Sequence, residues 1–169
     1  IMQRAILILP EFKNGHLIEE LRKKFDPLYG LVPPHITLVF PFESGIRTST
    51  LERHIRTALL GAGSFPIQLK GITATPDKYL FLNIKKGNDN IIELHDRLYS
   101  GILREFMSRR NHYAPHLSVG RYRDEAGLQA ALDDTESFEA CFDAVVTNVV
   151  SEIIGDNGDS ASELIVSLS

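Results

Sequence analysis

Pro34-His35-Ile36-Thr37-Leu38 recurs in outline as Pro115-His116-Leu117-Ser118-Val119, so the chain carries two copies of a Pro-His-apolar-hydroxyl-apolar motif. On a β-strand successive side chains face opposite ways, which puts His35 with Thr37 on one face and Ile36 with Leu38 on the other. His116 and Ser118 repeat the split against Leu117 and Val119. Each motif therefore predicts a strand with a polar face bearing an imidazole and a hydroxyl, and an apolar face for a core. Brought together, the two polar faces form a small site with two proton carriers. The structural alternative is a pair of strand starts whose histidines are bonded to neighbouring carbonyls.

Working outward, the surroundings of the two motifs match in outline. The apolar run Ala5 to Leu9 predicts a strand ended by Pro10. Leu17, Ile18, Leu21 and Phe25 form one face of a helix from about His16 to Phe25, stopped by Asp26-Pro27. Ser49 and Glu52 have capping-box spacing at the start of a second helix on Leu51, Ile55, Ala58 and Leu59. Two strands flank the turn signal Thr75-Pro76-Asp77. Ile91, Leu94, Leu98, Ile102 and Phe106 predict a long helix from Asn90 to Met107. After the second motif come a short helix near Leu128 to Leu132, a strand alternating through Phe138, Ala140, Phe142, Ala144 and Val146, and a hairpin turning at Gly155 to Asp159. The recurring order of helix, motif, helix and strand points to an internal duplication. The expected fold is α+β and bilobal, with two pseudo-symmetric, intertwined lobes of antiparallel sheet plus helices around a central groove, residues 1–169 forming one domain.

Bulk properties narrow the function. A chain of 169 residues is long enough for a real core. Its formal net charge of -4 argues against coating nucleic acid through bulk positive charge, while leaving room for a local basic patch. Cys141 is the single cysteine, which fits a reducing compartment and reads as a small core or strand residue. No apolar run is long enough to span a bilayer, and the Ala5–Leu9 run is too short for a signal sequence, so a soluble, cytoplasmic protein is expected; the sequence leaves the oligomeric state open, with a monomer as the default expectation.

Histidine titrates near neutrality, so two of them supply a neutral base and a protonated acid at one pH. In-line attack on a phosphodiester needs that pair, one imidazole to activate the attacking hydroxyl or water and the other to protonate the leaving oxygen. Donors such as Thr37 and Ser118 stabilise the charge that grows on the non-bridging oxygens. The paired motifs resemble the signature of the 2H phosphoesterase superfamily, which includes 2'-5' RNA ligase-like proteins, RNA 2',3'-cyclic phosphodiesterases and ADP-ribose cyclic phosphodiesterases. The stretch from Phe25 to Leu38 is similar to a branch of small bacterial members. The resemblance implies a bilobal α/β fold with a water-filled groove and metal-independent hydrolysis of a cyclic phosphodiester on an RNA or nucleotide end, without a cofactor. It makes His35 and His116 the acid–base pair, with Thr37 and Ser118 as phosphate donors. It adds Arg121 as a further substrate-binding residue, although alternation from His116 and Ser118 sends Arg121 to the opposite face unless Gly120 allows a bulge. The runner-up is a module that binds a nucleotide or RNA end without turnover.

Other residues read more plainly. His16, His54 and His95 lie in predicted helices among charged residues and are expected to be solvated. His112 and His116 are four apart, but Pro115 between them argues against a helical zinc pair. Phe40, Phe42, Tyr113 and Tyr122 are candidate stacking residues by proximity to the motifs. Arg109, Arg110, Arg121 and Arg123 flank the second motif and could draw in phosphate. Asp156-Asn157-Gly158-Asp159 reads as a hairpin turn and lacks the length of a calcium loop.

Overall fold

A computed structural model describes residues 1–169. Eight strands form one antiparallel sheet, in the order β6-β3-β4-β5-β2-β1-β7-β8. The strands are β1 (Met2–Ile8), β2 (Ile36–Ser44), β3 (Phe65–Ala74), β4 (Tyr79–Lys86), β5 (Leu117–Arg121), β6 (Cys141–Val146), β7 (Asn148–Ile154) and β8 (Ser160–Ser167). Helices α1 (His16–Phe25), α2 (Thr48–Ala58), α3 (Asn88–Leu98) and α4 (Glu125–Asp134) lie between them. The motif strands β2 and β5 are central neighbours, and each is the inner edge of a four-stranded half. One half takes its strands from both ends of the chain and the other from the middle, so the halves interleave in sequence.

The halves meet at a narrow seam. β2 and β5 are paired only at Ile36 with Leu117, whereas β1 with β2 and β4 with β5 form extended ladders. The apolar members of the motifs, Ile36, Leu38, Leu117 and Val119, are fully buried in a single core of 31 residues with Ile6, Ile8, Leu80 and Leu82. Each such side chain contributes about 1.5–3 kcal/mol by leaving water, so the motif strands are anchored by their apolar face.

Both motif strands bulge at equivalent places. Along the β4–β5 ladder, Leu80 pairs with Gly120 and Phe81 with Ser118, one step on β4 against two on β5. Along β1–β2, Ile6 pairs with Val39 and Leu7 with Thr37, again one step against two. The extra residue reverses the alternation. Consecutive residues Leu38 and Val39 are therefore both buried, as are Val119 and Gly120, and the next residues, Phe40 and Arg121, emerge exposed. Gly120 is required by close packing: a Cβ there would lie 2.8 Å from Phe25 Cβ and 3.3 Å from Leu80 Cβ.

Arg22 organises the segment between α1 and the first motif. Fully buried, it donates from Nε to Asp26 Oδ2 at 2.9 Å, from Nη1 to Glu19 Oε1 at 2.6 Å, and from Nη2 to the carbonyls of Leu28 and Val32. One guanidinium thus ties the helix end to the loop that delivers His35.

Four expectations are corrected. The capping box at Ser49 is not formed: α2 starts at Thr48 without a side-chain cap, and Glu52 turns to Arg56 at 2.8 Å. The helix expected to reach Met107 ends at Leu98, followed by a 3-10 segment from Gly101 to Phe106. Leu98 O, which a continuing helix would bond to Ile102 N–H, meets His54 Nε2 at 2.9 Å; the phase then changes, leaving Ile102 exposed and Leu103 buried. The strand expected from Phe138 begins at Cys141. Cys141 is a strand residue but not a core one, because it faces solvent on edge strand β6.

Two stability measurements follow from this packing. Gly120→Ala overpacks the contact between α1, β4 and β5 and is expected to cost about 1–3 kcal/mol, read as a lowered urea midpoint with an unchanged slope. Arg22→Met strands buried carbonyls and the Asp26 carboxylate and is expected to cost about 3–5 kcal/mol; a loss below about 1 kcal/mol in the same titration would show that the loop does not depend on it.

Candidate active site

The single β2–β5 pair places the polar residues. Because the strands are antiparallel and Ile36 lies opposite Leu117, the next positions bring Thr37 opposite His116 and His35 opposite Ser118. The four side chains line one cavity of ≈ 460 Å³ over the seam, together with Phe40, Tyr79, Phe81, Asp77 and Arg121, and with Asp26, Pro27 and Leu28 from the loop after α1. The arrangement has an approximate two-fold relation, each half supplying one imidazole and one hydroxyl.

Each histidine is held by the residue two before it. His35 Nδ1 lies 2.8 Å from Pro33 O, and His116 Nδ1 lies 2.8 Å from Ala114 O. A carbonyl only accepts, so Nδ1 carries the proton and Nε2 is the bare nitrogen of the neutral ring. Pro34 and Pro115 stand between each histidine and its carbonyl, and proline's fixed φ and the extended conformation it imposes on the preceding residue make that short reach-back repeatable. The structural alternative and the site are thus one arrangement: carbonyl bonding is what orients the two rings.

Burial lowers the pKa of both imidazoles from the usual histidine value, partly offset by the carbonyl bonds. For His35 the positive charges of Arg22 and His116 act in the same direction as burial, and Asp26 opposes them. For His116 Asp77 opposes the shift.

Arg121 reaches the site face through the bulge at Val119–Gly120. It pairs with Tyr79 across the ladder and stacks its guanidinium 5.1 Å from the centre of that ring. Phe81 lies flat against the His116 imidazole, with centroids 4.0 Å apart and planes at 10°. Neither Tyr79 nor Phe81 is singled out by the sequence reading. Their signal is present in it: along Tyr79-Leu80-Phe81-Leu82 the leucines are core residues, so the aromatics must share the other face.

The four aromatics picked by proximity separate. Phe40 lines the cavity. Phe42 is buried against Phe106 at 4.9 Å, and Tyr122 packs on Phe25 at 6.2 Å. Tyr113 is structural: its hydroxyl donates to Thr37 O at 2.7 Å, and its ring stacks on His95 at 3.7 Å. His95 is therefore not solvated as expected but buried, sandwiched beside Tyr99 and Tyr113, with Nδ1 on Asp96 at 2.8 Å. His54 is half-buried on Leu98 O, and His16 is exposed. No group of three or more His, Cys, Asp or Glu side chains converges in metal-binding geometry, and no helix is long and apolar enough to cross a membrane.

Comparison with known proteins places this geometry. The model of the 2'-5' RNA ligase superfamily matches residues 10–150. A Bacillus licheniformis protein named "Putative phosphoesterase" is 31% identical over 126 residues, covering 71% of each chain. A protein of that same name from Geobacillus kaustophilus is 28% identical, covering 71% of this chain and 69% of its own. In fold, the chain is similar to Escherichia coli LigT in its apo form, with a TM-score of 0.67 at 15% identity over 98% of each chain. TT0787 of Thermus thermophilus superposes with a TM-score of 0.69 at 16% identity, covering 99% of this chain and 98% of that one. With the family model spanning both histidine motifs and the fold shared end to end, the chain belongs to the 2'-5' RNA ligase superfamily, a group of 2H phosphoesterases.

Proposed function

We propose that the protein is a metal-independent phosphoesterase that opens a 2',3'-cyclic phosphate, or cleaves a 2'-5' linkage, at an RNA or nucleotide end, with His35 and His116 as general acid and base. The observation that carries this reading is the meeting of two carbonyl-oriented imidazoles in one cavity across the seam. One Nε2 takes the proton of a water attacking phosphorus. The P–O bond to the ribose opens, and the other imidazole gives its proton to the departing oxygen, leaving a phosphomonoester and a free hydroxyl. Thr37 and Ser118 donate to the non-bridging oxygens, and Arg121, held on Tyr79, supplies positive charge there. Phe81 keeps the His116 ring in plane. E. coli LigT, similar in fold, has been solved with 3'-AMP and with phosphate, which supports a phosphate-bearing nucleotide as the kind of ligand this groove takes.

The test is hydrolysis of a cyclic-phosphate RNA end in EDTA. His35→Ala and His116→Ala are each expected to lower kcat by about 10²–10⁴ while circular dichroism stays unchanged; activity that survives both, or that EDTA abolishes, would overturn the assignment.

Catalysis requires one imidazole protonated and one neutral, and both titrate below the usual value of about 6.5. The pH profile of kcat/KM, which reports the free enzyme, is therefore expected to be bell-shaped with its maximum below that value. A plateau extending above about pH 8 would exclude a histidine as the acid.

A further inference from the structure

Tyr113 joins the two halves beyond their single backbone pair. It stands three residues before His116 in the segment leading into β5, and its hydroxyl donates to Thr37 O on β2 at 2.7 Å. Its ring lies flat on His95 of α3, with centroids 3.7 Å apart and planes at 13°, and meets Phe40 of β2 edge-on. Since α3 packs on β2, ring and hydroxyl both hold the lead-in of the second motif to the half that carries the first. The bond fills a gap that the main chain leaves. Continuing the register from Ile36 and Leu117 would bring Pro115 opposite Leu38, and proline has no N–H to donate. Burial, with Tyr99 and Asp96 nearby, pushes the Tyr113 phenol well above the usual tyrosine value, so it keeps its proton and stays a donor.

Both ends of this bond are tied to the proposed acid and base. The residue after Tyr113, Ala114, offers the carbonyl that orients His116, and Thr37, two residues after His35, lines the cavity with it. Sliding the lead-in along β2 would therefore change the separation of the imidazoles without breaking either carbonyl bond. Tyr99 supplies the contrast. It also bonds β2, accepting from Phe40 N–H at 3.0 Å, but it ends α3 and so stays within the first motif's half. We propose that the Tyr113 hydroxyl is a positioning group for the reaction: it fixes the distance between His35 and His116 across the seam and takes no part in proton transfer. Tyr113 is not among the residues lining the cavity, so it acts only through the strands that it joins. The inference rests on the phosphoesterase reading above.

The test compares Tyr113→Phe with Tyr99→Phe. Each removes one hydroxyl and one bond to the β2 backbone while keeping the ring against His95, so each is expected to lower the urea midpoint by a similar, small amount. On a short RNA ending in a 2',3'-cyclic phosphate, Tyr113→Phe is expected to lower kcat by about tenfold to a hundredfold and to leave KM within about twofold, the signature of misplaced reacting groups. The pH profile should drop in height and keep both limbs, because neither imidazole loses a partner. Tyr99→Phe should keep kcat close to wild type. Equal kcat losses in the two variants, a wild-type kcat in Tyr113→Phe, or a pH profile that loses a limb would overturn the assignment. Amide hydrogen exchange reads the same bond without turnover. Tyr113→Phe is expected to speed exchange at Ile36, Leu38 and Leu117 by about tenfold while the β1–β7 ladder stays as protected as in wild type. If wild type turns over no such RNA, the phosphoesterase reading fails by itself, and faster exchange at the seam still upholds Tyr113 as the clamp between the halves; unchanged exchange there overturns it.

Discussion

Everything at the site depends on how little holds β2 to β5. An eight-stranded sheet with a full central ladder would be continuous there, with no opening between its halves. Here the ladder is a single pair, Ile36 with Leu117, set between the two histidine–hydroxyl pairs. The pair is buried and fixes the register, so Thr37 faces His116 and His35 faces Ser118. Beyond it the strands need other partners, because backbone groups cannot be left unpaired in a packed structure. Two tyrosines supply them on β2: Tyr113 donates its hydroxyl to Thr37 O, and Tyr99 accepts from Phe40 N–H at 3.0 Å. The stacked His95 wedges these rings in place. A side-chain cluster thus takes over strand pairing and lets a groove open in the middle of a sheet.

The two halves are most alike in geometry at the histidine motifs. Both motifs present proline, a carbonyl-bonded imidazole, a buried residue, a hydroxyl and then a bulge that turns the fifth residue after the histidine onto the site face. At that fifth position the halves differ, with Phe40 on one side and Arg121 on the other. The pseudo-two-fold arrangement therefore presents similar imidazoles and hydroxyls but unlike walls, apolar toward Phe40 and cationic toward Arg121.

How much was legible from the residues differs from place to place. Periodicity identified α1 and the hairpin of β7 and β8, since local patterns of three to four or of two report directly on burial. It overran α3, because an apolar stripe continues through Ile102 and Phe106 while the backbone does not: Ser100 is extended, Gly101 takes a positive φ of 48°, and His54 of another helix bonds the freed Leu98 O. Strand alternation put His35 with Thr37 and His116 with Ser118, each pair on one face of its own strand, but left Arg121 on the wrong face unless Gly120 allowed a bulge. Only the bulge at Val119–Gly120 corrects that, and position 120 takes glycine because Phe25 packs where a side chain would otherwise stand. His95 looked solvated among charged neighbours, and its burial depends on two tyrosines, one of them from a distant loop.

By itself the sequence determined that the chain holds two equivalent strands, each with an imidazole and a hydroxyl on its polar face, because alternation and proline restrictions act between neighbours along the chain. The tertiary structure decided that these strands lie side by side, that they are joined at one pair, and that Phe81, Tyr79 and Arg121 complete the cavity. It also decided that Lys23, Lys24, Lys78 and Arg123 converge beside the cavity. Those outcomes depend on register, bulges and the packing of residues far apart in the chain, which no local pattern encodes.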